Sequence, residues 1–269
     1  MNFASRTIPS SRRVSKFALG WLLPGLLGLC ACQPLAATPV PTPQVIRLSF
    51  TPAAASWSQR VGACALKLPG VGLVVDEIPT GQTISPQVDV SLRAGLAPSP
   101  SLPYTIILGW DEIAILVNAS NPLAAISLKD LVALYQGQLT TWDSLFKNEG
   151  QAASYAAPLE VWSYPQDDDL QHIFNQEAGL ALPQGDLARS VVFTAPDPPA
   201  LIQAVGQAPG AVGFTLKSYL LGSHPAVRSI PLASGDPGVL RVPVTASLRS
   251  EPQGLLRQLV LCGQSSPLP

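Results

Sequence analysis

The stretch from Gly109 to Leu145, GWDEIAILVNASNPLAAISLKDLVALYQGQLTTWDSL, constrains the fold more than any other part of this sequence, and we call it the organising stretch. Its apolar run, Ile113–Val117, predicts a buried strand that the Asn118–Pro122 segment ends. Ser127 is then a candidate helix N-cap, with Asp130 in the first turn, where a carboxylate favours the positive end of the helix dipole. The stretch therefore predicts a strand, a break and a capped helix in succession.

The beginning of the folded part predicts an α/β lobe. Residues 45–50 form a candidate first strand, residues 53–68 a helix and residues 71–78 a second strand. This strand–helix–strand order is how a doubly wound α/β fold begins. The helix start after the first strand is favourable for anions, so Thr51 is a candidate ligand-binding residue. The alternative for Thr51 is a plain helix cap followed by proline at the first helical position.

Composition excludes several classes of function. Charged residues make up 12% of the chain, against about 25% in typical globular proteins, and lysines and arginines do not cluster as nucleic-acid binding requires. The sequence has no G-x-S-x-G, H-E-x-x-H or P-loop pattern. It has two histidines and no C-x-x-C pair. We therefore predict no enzymatic activity, no cofactor and no metal site.

The first 31 residues predict a secretory signal. Arg12, Arg13 and Lys16 precede the apolar run Phe17–Leu29, which is shorter than the roughly 20 residues of a membrane-spanning helix. The run ends in Leu29-Cys30-Ala31-Cys32, which resembles the lipobox of bacterial lipoproteins, with Cys32 as the lipidated residue. The alternative is an ordinary cleaved signal. Residues 32–44 are rich in proline and predict an extended tether. We expect an extracytoplasmic protein anchored to the cell membrane through lipid alone.

The chain resembles the phosphate-binding proteins of bacterial ABC importers. Their sequences carry a strand, an N-x-x-N-P break, an L-x-x-L-x-x-x-Y/F-x-G helix and a T-x-W turn, as the organising stretch does. Gln207–Thr215 resembles their V-x-x-x-P-G-A-I-G-Y segment. The resemblance implies the type II periplasmic-binding-protein fold: two α/β lobes, each a mostly parallel sheet flanked by helices, with a ligand cleft between them. Lobe 1 would comprise residues 45–109 plus 215–269, and lobe 2 residues 110–214.

The resemblance also implies where a ligand would bind. The ligand-binding candidates are Thr51, Ser91, Ser163, Gln166 and Asp167. Arg93, close to Ser91, is either a further candidate or a residue of a solvent-exposed face. At the turn that contains Gln166 and Asp167, these importers carry R-x-x-S-G-T, whereas this chain has Asp167-Asp168-Asp169 at the start of a predicted helix. Such carboxylates would accept the helix N–H groups that phosphate needs and would repel the anion. The alternatives are a Gln-lined or backbone-lined site, a neutral or cationic ligand, or a capped and solvated helix start.

The expected function follows from the same resemblance. We expect a monomeric solute-binding protein of an ABC importer that takes a small molecule or ion, a phosphate-like oxyanion by resemblance, and delivers it to a permease. A surface sensor or interaction protein that keeps this fold is the alternative, and a hydrolase using Asp167–Asp169 is a remote one. In such proteins both chain ends belong to one lobe, which would allow a disulfide between Cys64 and Cys262. Their spacing alone leaves the pairing open.

Overall fold

One long strand, β4 (Tyr104–Asn118), links the two parts of the fold in the computed structural model. The structure describes residues 43–96, 101–148, 155–179, 192–233 and 240–265. The other strands in these ranges are β1 (Gln44–Phe50), β2 (Val71–Glu77), β3 (Val90–Ala94), β5 (Glu160–Ser163), β6 (Val192–Thr194), β7 (Ala211–Leu216), β8 (Val227–Ile230) and β9 (Arg241–Leu248). The α-helices are α1 (Ala55–Ala65), α2 (Leu128–Tyr135), α3 (Trp142–Asn148), α4 (Asp169–Glu177), α5 (Pro198–Gln207) and α6 (Gly254–Ser265), and Pro52–Ala54 and Lys217–Leu220 form 3₁₀ turns.

The strands hydrogen-bond in the order β2-β1-β3-β9-β4-β7-β5-β6, and β8 also pairs with β4. At one end, β1 lies parallel to β2 and β3; at the other, β5 lies parallel to β6 and β7. Residues 104–112 of β4 pair with β9, and residues 113–118 pair with β7 and β8, all antiparallel. We call β1–β3, β9, α1, α6 and residues 104–112 the first half, and the elements from Ile113 to β8 the second half.

The described residues lie within one compact unit, which contains two main apolar cores and a small cluster of Ile84, Val88 and Leu102. In the first half, Trp57, Val61 and Cys64 line one face of α1 and pack against β1, β9 and α6. This spacing of three to four residues is that of a helix face. The second half is built around buried aromatic side chains, including Tyr135 and Phe214. Two α/β halves with their own cores confirm the predicted fold class.

The helix of the organising stretch begins where its sequence predicts. The Ser127 hydroxyl accepts a hydrogen bond from the Asp130 amide at 3.1 Å, and α2 starts at the next residue. Leu131 and Leu134 are buried on the inner face of α2. The predicted cap is therefore confirmed.

Three elements differ from the sequence-based expectation. The predicted strands 104–108 and 113–117 are one strand, β4, with an irregularity between Ile107 and Gly109 where it pairs with β9. Residues 142–148 form α3, whose seven residues are too few to give a periodic pattern. Strand β8 pairs with residues 115–118, so the chain returns to the first half after Ile230, whereas the sequence placed the return at residue 215.

Cys64 of α1 and Cys262 of α6 are joined by a disulfide, with 5.8 Å between their Cα atoms. The pairing that the sequence left open thus closes the first half. The predicted signal (1–31), Cys32 and residues 33–42 of the tether lie outside the described residues. Among the described residues, no helix combines the length and the apolar character that a membrane crossing requires.

Candidate functional site

A groove lies between the first and second halves. One part of it is a cavity of about 440 Å³, which we call the α4 cavity. Thr80, Gly81 and residues 93–96 line it on the first-half side, and residues 166–169, His172 and other α4 residues line it on the second-half side. A neighbouring cavity of about 490 Å³ shares Thr80, Asp167 and Asp168 with it. Volumes of this size are typical of small-molecule sites.

Asp169, the first residue of α4, joins the two halves at this groove. Its Oδ2 accepts a hydrogen bond from the Thr51 hydroxyl at 2.8 Å and another from Arg93 Nε at 3.2 Å. Asp169 is 8% exposed and the Arg93 side chain 16%, so the ion pair is largely shielded from water and weakly screened by salt. Burial raises the pKa of Asp169, and the Arg93 charge opposes that rise. One carboxylate oxygen is thus bound by two donors of the opposite half.

Asp168 has a different role, as the N-cap of α4. Its Oδ1 accepts hydrogen bonds from the amides of Leu170 at 2.8 Å and Gln171 at 3.4 Å. Its Oδ2 lies 3.5 Å from the Thr80 hydroxyl. Burial raises the pKa of Asp168 to about 6, against 3.8 for a free aspartate, and the nearby Asp169 charge adds to the rise. The carboxyl therefore changes charge in mildly acidic solution.

Thr51 follows β1 and is fully buried. Its backbone geometry is that of a helix N-cap, but its side chain makes no capping hydrogen bond. The hydroxyl is directed to Asp169 instead. The sequence offered a ligand-binding residue or a plain cap for Thr51, and the structure gives its hydroxyl an anionic partner from the other half.

Two further candidates line the groove, and two do not. Gln166 and Asp167 are exposed and line the α4 cavity. Ser91 is fully buried, and its hydroxyl has no hydrogen-bond partner among the described residues. The Ser163 hydroxyl is bound to the side chain of Gln171. Neither serine is among the residues that line the two cavities.

The candidates that the sequence suggests include Arg93 but not Asp168, Asp169 or Thr80. Asp168 and Asp169 belong to the acidic run for which a capped helix start is one of the predicted alternatives. That prediction is correct for Asp168, which is the N-cap of α4. The position of Asp169 in the first helical turn does not indicate that its partner, Thr51, lies 118 residues away in the sequence. His172 is exposed on α4 at the edge of the groove. Within the described ranges, no group of histidine, cysteine and acidic residues is arranged to hold a metal ion.

Two α/β halves that share one sheet, with a groove between them that residues of both halves line, define a bilobed binding-protein fold. In agreement, residues 103–228 match the family model described as the PBP superfamily domain. This segment of the chain is therefore similar to periplasmic-binding-protein domains. No match was found among curated proteins by sequence comparison.

Solved structures share the same fold. A candidate phosphate ABC transporter substrate-binding protein from Clostridium perfringens, with bound phosphate, matches with a TM-score of 0.65 at 14% identity, over 81% of this chain and 92% of that one. An ABC-type phosphate transport receptor from Vibrio cholerae matches with a TM-score of 0.56 at 17% identity, over 82% and 94%. A Corynebacterium glutamicum OxyR mutant with bound H2O2 gives 0.59 at 13% identity, over 85% and 66%.

Proposed function

We propose that this protein is an extracytoplasmic solute-binding protein of an ABC importer and that its solute binds in the groove between the two halves. The observation that carries the proposal is the convergence of Thr51 and Arg93, from the first half, on a single anionic group of the second half. This is the chemistry by which a small anion would bridge the halves. The phosphate-binding structures with this fold make a phosphate-like oxyanion the first candidate solute.

The groove supports recognition without covalent chemistry. Hydroxyl and guanidinium donors bind a solute by hydrogen bonds that strengthen when water is excluded. Closure of two halves around a solute is the motion of hinged binding proteins, and strand β4 would connect the halves during it. The bound solute would then pass to a permease in the membrane.

Ligand-dependent thermal melting tests this function. The purified protein is melted with phosphate, sulfate, molybdate, amino acids, sugars and divalent cations. A true solute at 100 times its Kd adds about 2.7 kcal/mol to the free energy of unfolding, which raises the Tm by roughly 5–10 °C for a domain of this size. The control is Arg93→Gln, which should lose the shift if the solute binds in the groove. A panel that leaves the Tm unchanged throughout contradicts the proposal.

The proposed anchor is the lipid on Cys32, which would hold the protein at the outer face of the membrane. Membrane fractionation of cells fed a labelled fatty acid tests it. Cys32→Ser should lose both the label and the membrane association, whereas Cys30→Ser should keep both. Equal loss in the two variants would contradict Cys32 as the lipidated residue.

A sensor or interaction protein is the second candidate function. The observation that favours it is that the groove donors already bind a carboxylate of the chain itself, and OxyR proteins share the fold. A panel without any thermal shift, together with retention of a protein partner on the immobilised chain, would favour this candidate over transport.

A further inference from the structure

We propose that the Asp169 carboxylate is a resident anion of the groove, which competes with free oxyanions for Thr51 and Arg93 and so determines which solutes bind. This inference deepens the proposed function and rests on it. It makes Asp169 a specificity-determining residue, because a solute that needs these donors must first displace the carboxylate.

The geometry places one anionic oxygen where two donors converge. Thr51 Oγ1 and Arg93 Nε both donate to the same atom, Asp169 Oδ2, at 2.8 and 3.2 Å. The donors belong to the ends of β1 and β3, neighbouring parallel strands of the first half. The carboxylate comes from the start of α4 in the second half. It therefore joins the halves through the contacts that an oxyanion in a groove of this kind would use.

Within the described parts of the chain, the side chains of Thr51 and Arg93 make no hydrogen bond other than those to Asp169. Thr51 stands at a helix start without capping it, and its hydroxyl is buried. Arg93 makes the more buried of the two ion pairs found among the described residues, the other being the exposed pair of Lys217 and Glu112. A buried hydroxyl and a largely buried guanidinium require a partner. Asp169 supplies it.

Helix α4 does not need Asp169 for its start. Asp168 caps the helix and accepts from both Leu170 and Gln171. The Asp169 side chain instead accepts its hydrogen bonds from Thr51 and Arg93, across the groove. Its removal should therefore vacate the donors while leaving the helix cap in place.

The acidic surroundings strengthen the competition. Asp167 and Asp168 adjoin Asp169 in sequence, and all three line the α4 cavity with Glu177. An incoming dianion meets these negative charges as well as the carboxylate that it must displace. We therefore expect the unaltered chain to bind free oxyanions weakly at neutral pH.

The test compares sulfate binding by calorimetry to the unaltered protein and to Asp169→Ala. Sulfate is the probe because it stays dianionic across neutral pH, and phosphate is run in parallel. We expect Asp169→Ala to bind sulfate at least ten times more tightly than the unaltered protein. Formate, which can take the place of the lost carboxylate, should raise the Tm of Asp169→Ala by more than that of the unaltered protein.

Two further variants separate vacated donors from reduced negative charge. Asp167→Ala removes an equal charge from the groove without freeing Thr51 or Arg93, and should gain less than threefold in sulfate affinity. Asp169→Ala combined with Arg93→Gln should lose the gain. If Asp169→Ala does not fold, Asp169→Asn, which removes the charge at nearly constant volume, takes its place in the comparison.

The outcomes distinguish this inference from the proposed function. Equal sulfate affinity in the unaltered protein and Asp169→Ala overturns the inference, as does an equal gain in Asp167→Ala. If the unaltered protein binds another solute of the panel while Asp169→Ala gains no oxyanion affinity, the inference fails and the proposed function stands. If the panel is silent but Asp169→Ala gains sulfate, the inference stands and solute transport by the unaltered chain fails.

Discussion

The two halves of the molecule meet at the groove with opposite chemistry. The first half contributes donors, the Thr51 hydroxyl and the Arg93 guanidinium, while the second half contributes the carboxylates of Asp168 and Asp169. Each half alone would leave buried polar groups without partners, at a cost of about 1–3 kcal/mol for each group. The donors of the first half and the carboxylates of the second half are therefore hydrogen-bonded to each other without a solute in the groove.

The halves also differ in what stabilises them. Among the described residues, the core of the first half has 15 buried apolar side chains and a disulfide across α1 and α6. The other core is larger, with 32 buried apolar side chains that lie mostly in the second half. It is centred on Phe214, whose ring lies 3.9 Å from that of Phe174, centroid to centroid. A small core gains the most from a covalent constraint, so we expect the two halves to respond to different perturbations.

Removal of the disulfide should have the largest effect. The bond links residues separated by 198 positions, and closing so long a loop stabilises the folded state by about 2–5 kcal/mol. Cys64→Ala combined with Cys262→Ala should therefore lower the free energy of unfolding by about that amount, as measured in urea. A loss below about 1 kcal/mol would mean that the first half depends on its apolar core alone.

The matching perturbation of the second half is Gly210→Ala. A Cβ at this position would lie 1.8 Å from the Pro158 carbonyl oxygen, so the backbone must shift, and we expect a loss of about 1–3 kcal/mol. The control is Gly62→Ala in α1 of the first half, where an added Cβ meets nothing within 4 Å. It should gain about 0.5–1 kcal/mol because alanine favours a helix interior. Equal effects in the two variants would contradict this assignment.

The smallest effect concerns the charge of Asp168. Folding raises its pKa from 3.8 to about 6, so the folded state holds the proton more tightly than the unfolded state. Its contribution to stability therefore falls as pH rises from about 4 to 6 and stays low above that range. Asp168→Asn keeps the cap and should stabilise the protein at pH 7.5 by roughly 2 kcal/mol, with little gain at pH 4.

Denaturation in urea at both pH values measures this change. The control is Asp197→Asn, which makes the same replacement at the half-buried N-cap of α5. We expect no comparable gain from it at pH 7.5. If Asp168→Asn stabilises the protein equally at pH 4 and pH 7.5, the effect does not come from the carboxylate charge.

Local patterns predicted the parts of the fold that depend on neighbouring residues. The Ser127 cap and helix α2 follow from a few adjacent side chains, and the two parallel strands around α1 follow from their apolar runs. Gly210 follows a proline in a turn-like sequence, although the need for glycine comes from the approach of Pro158. Strand β8 escaped prediction because its four residues, VRSI, carry too weak an alternation.

The candidate site could be predicted only in part for the same reason. Three successive aspartates at a helix start indicate capping, and Asp168 fulfils that role. Whether the next carboxylate faces solvent or a guanidinium depends on how the two halves pack. Arg93 lies 76 positions away from Asp169 in the sequence. The periodicity of a helix or a strand cannot indicate a contact between residues that are so far apart. Sequence patterns therefore located the helix start but not the ion pair.

The disulfide has a consequence for how the molecule is assembled. The second half is formed by one uninterrupted segment, whereas the first half needs β1–β3 from before this segment and β9 and α6 from after it. During synthesis or export, the central segment can fold as a unit before β9 and α6 are available to pack against β3 and α1. The disulfide between Cys64 and Cys262 can then form only late in folding, after α6 has packed against α1.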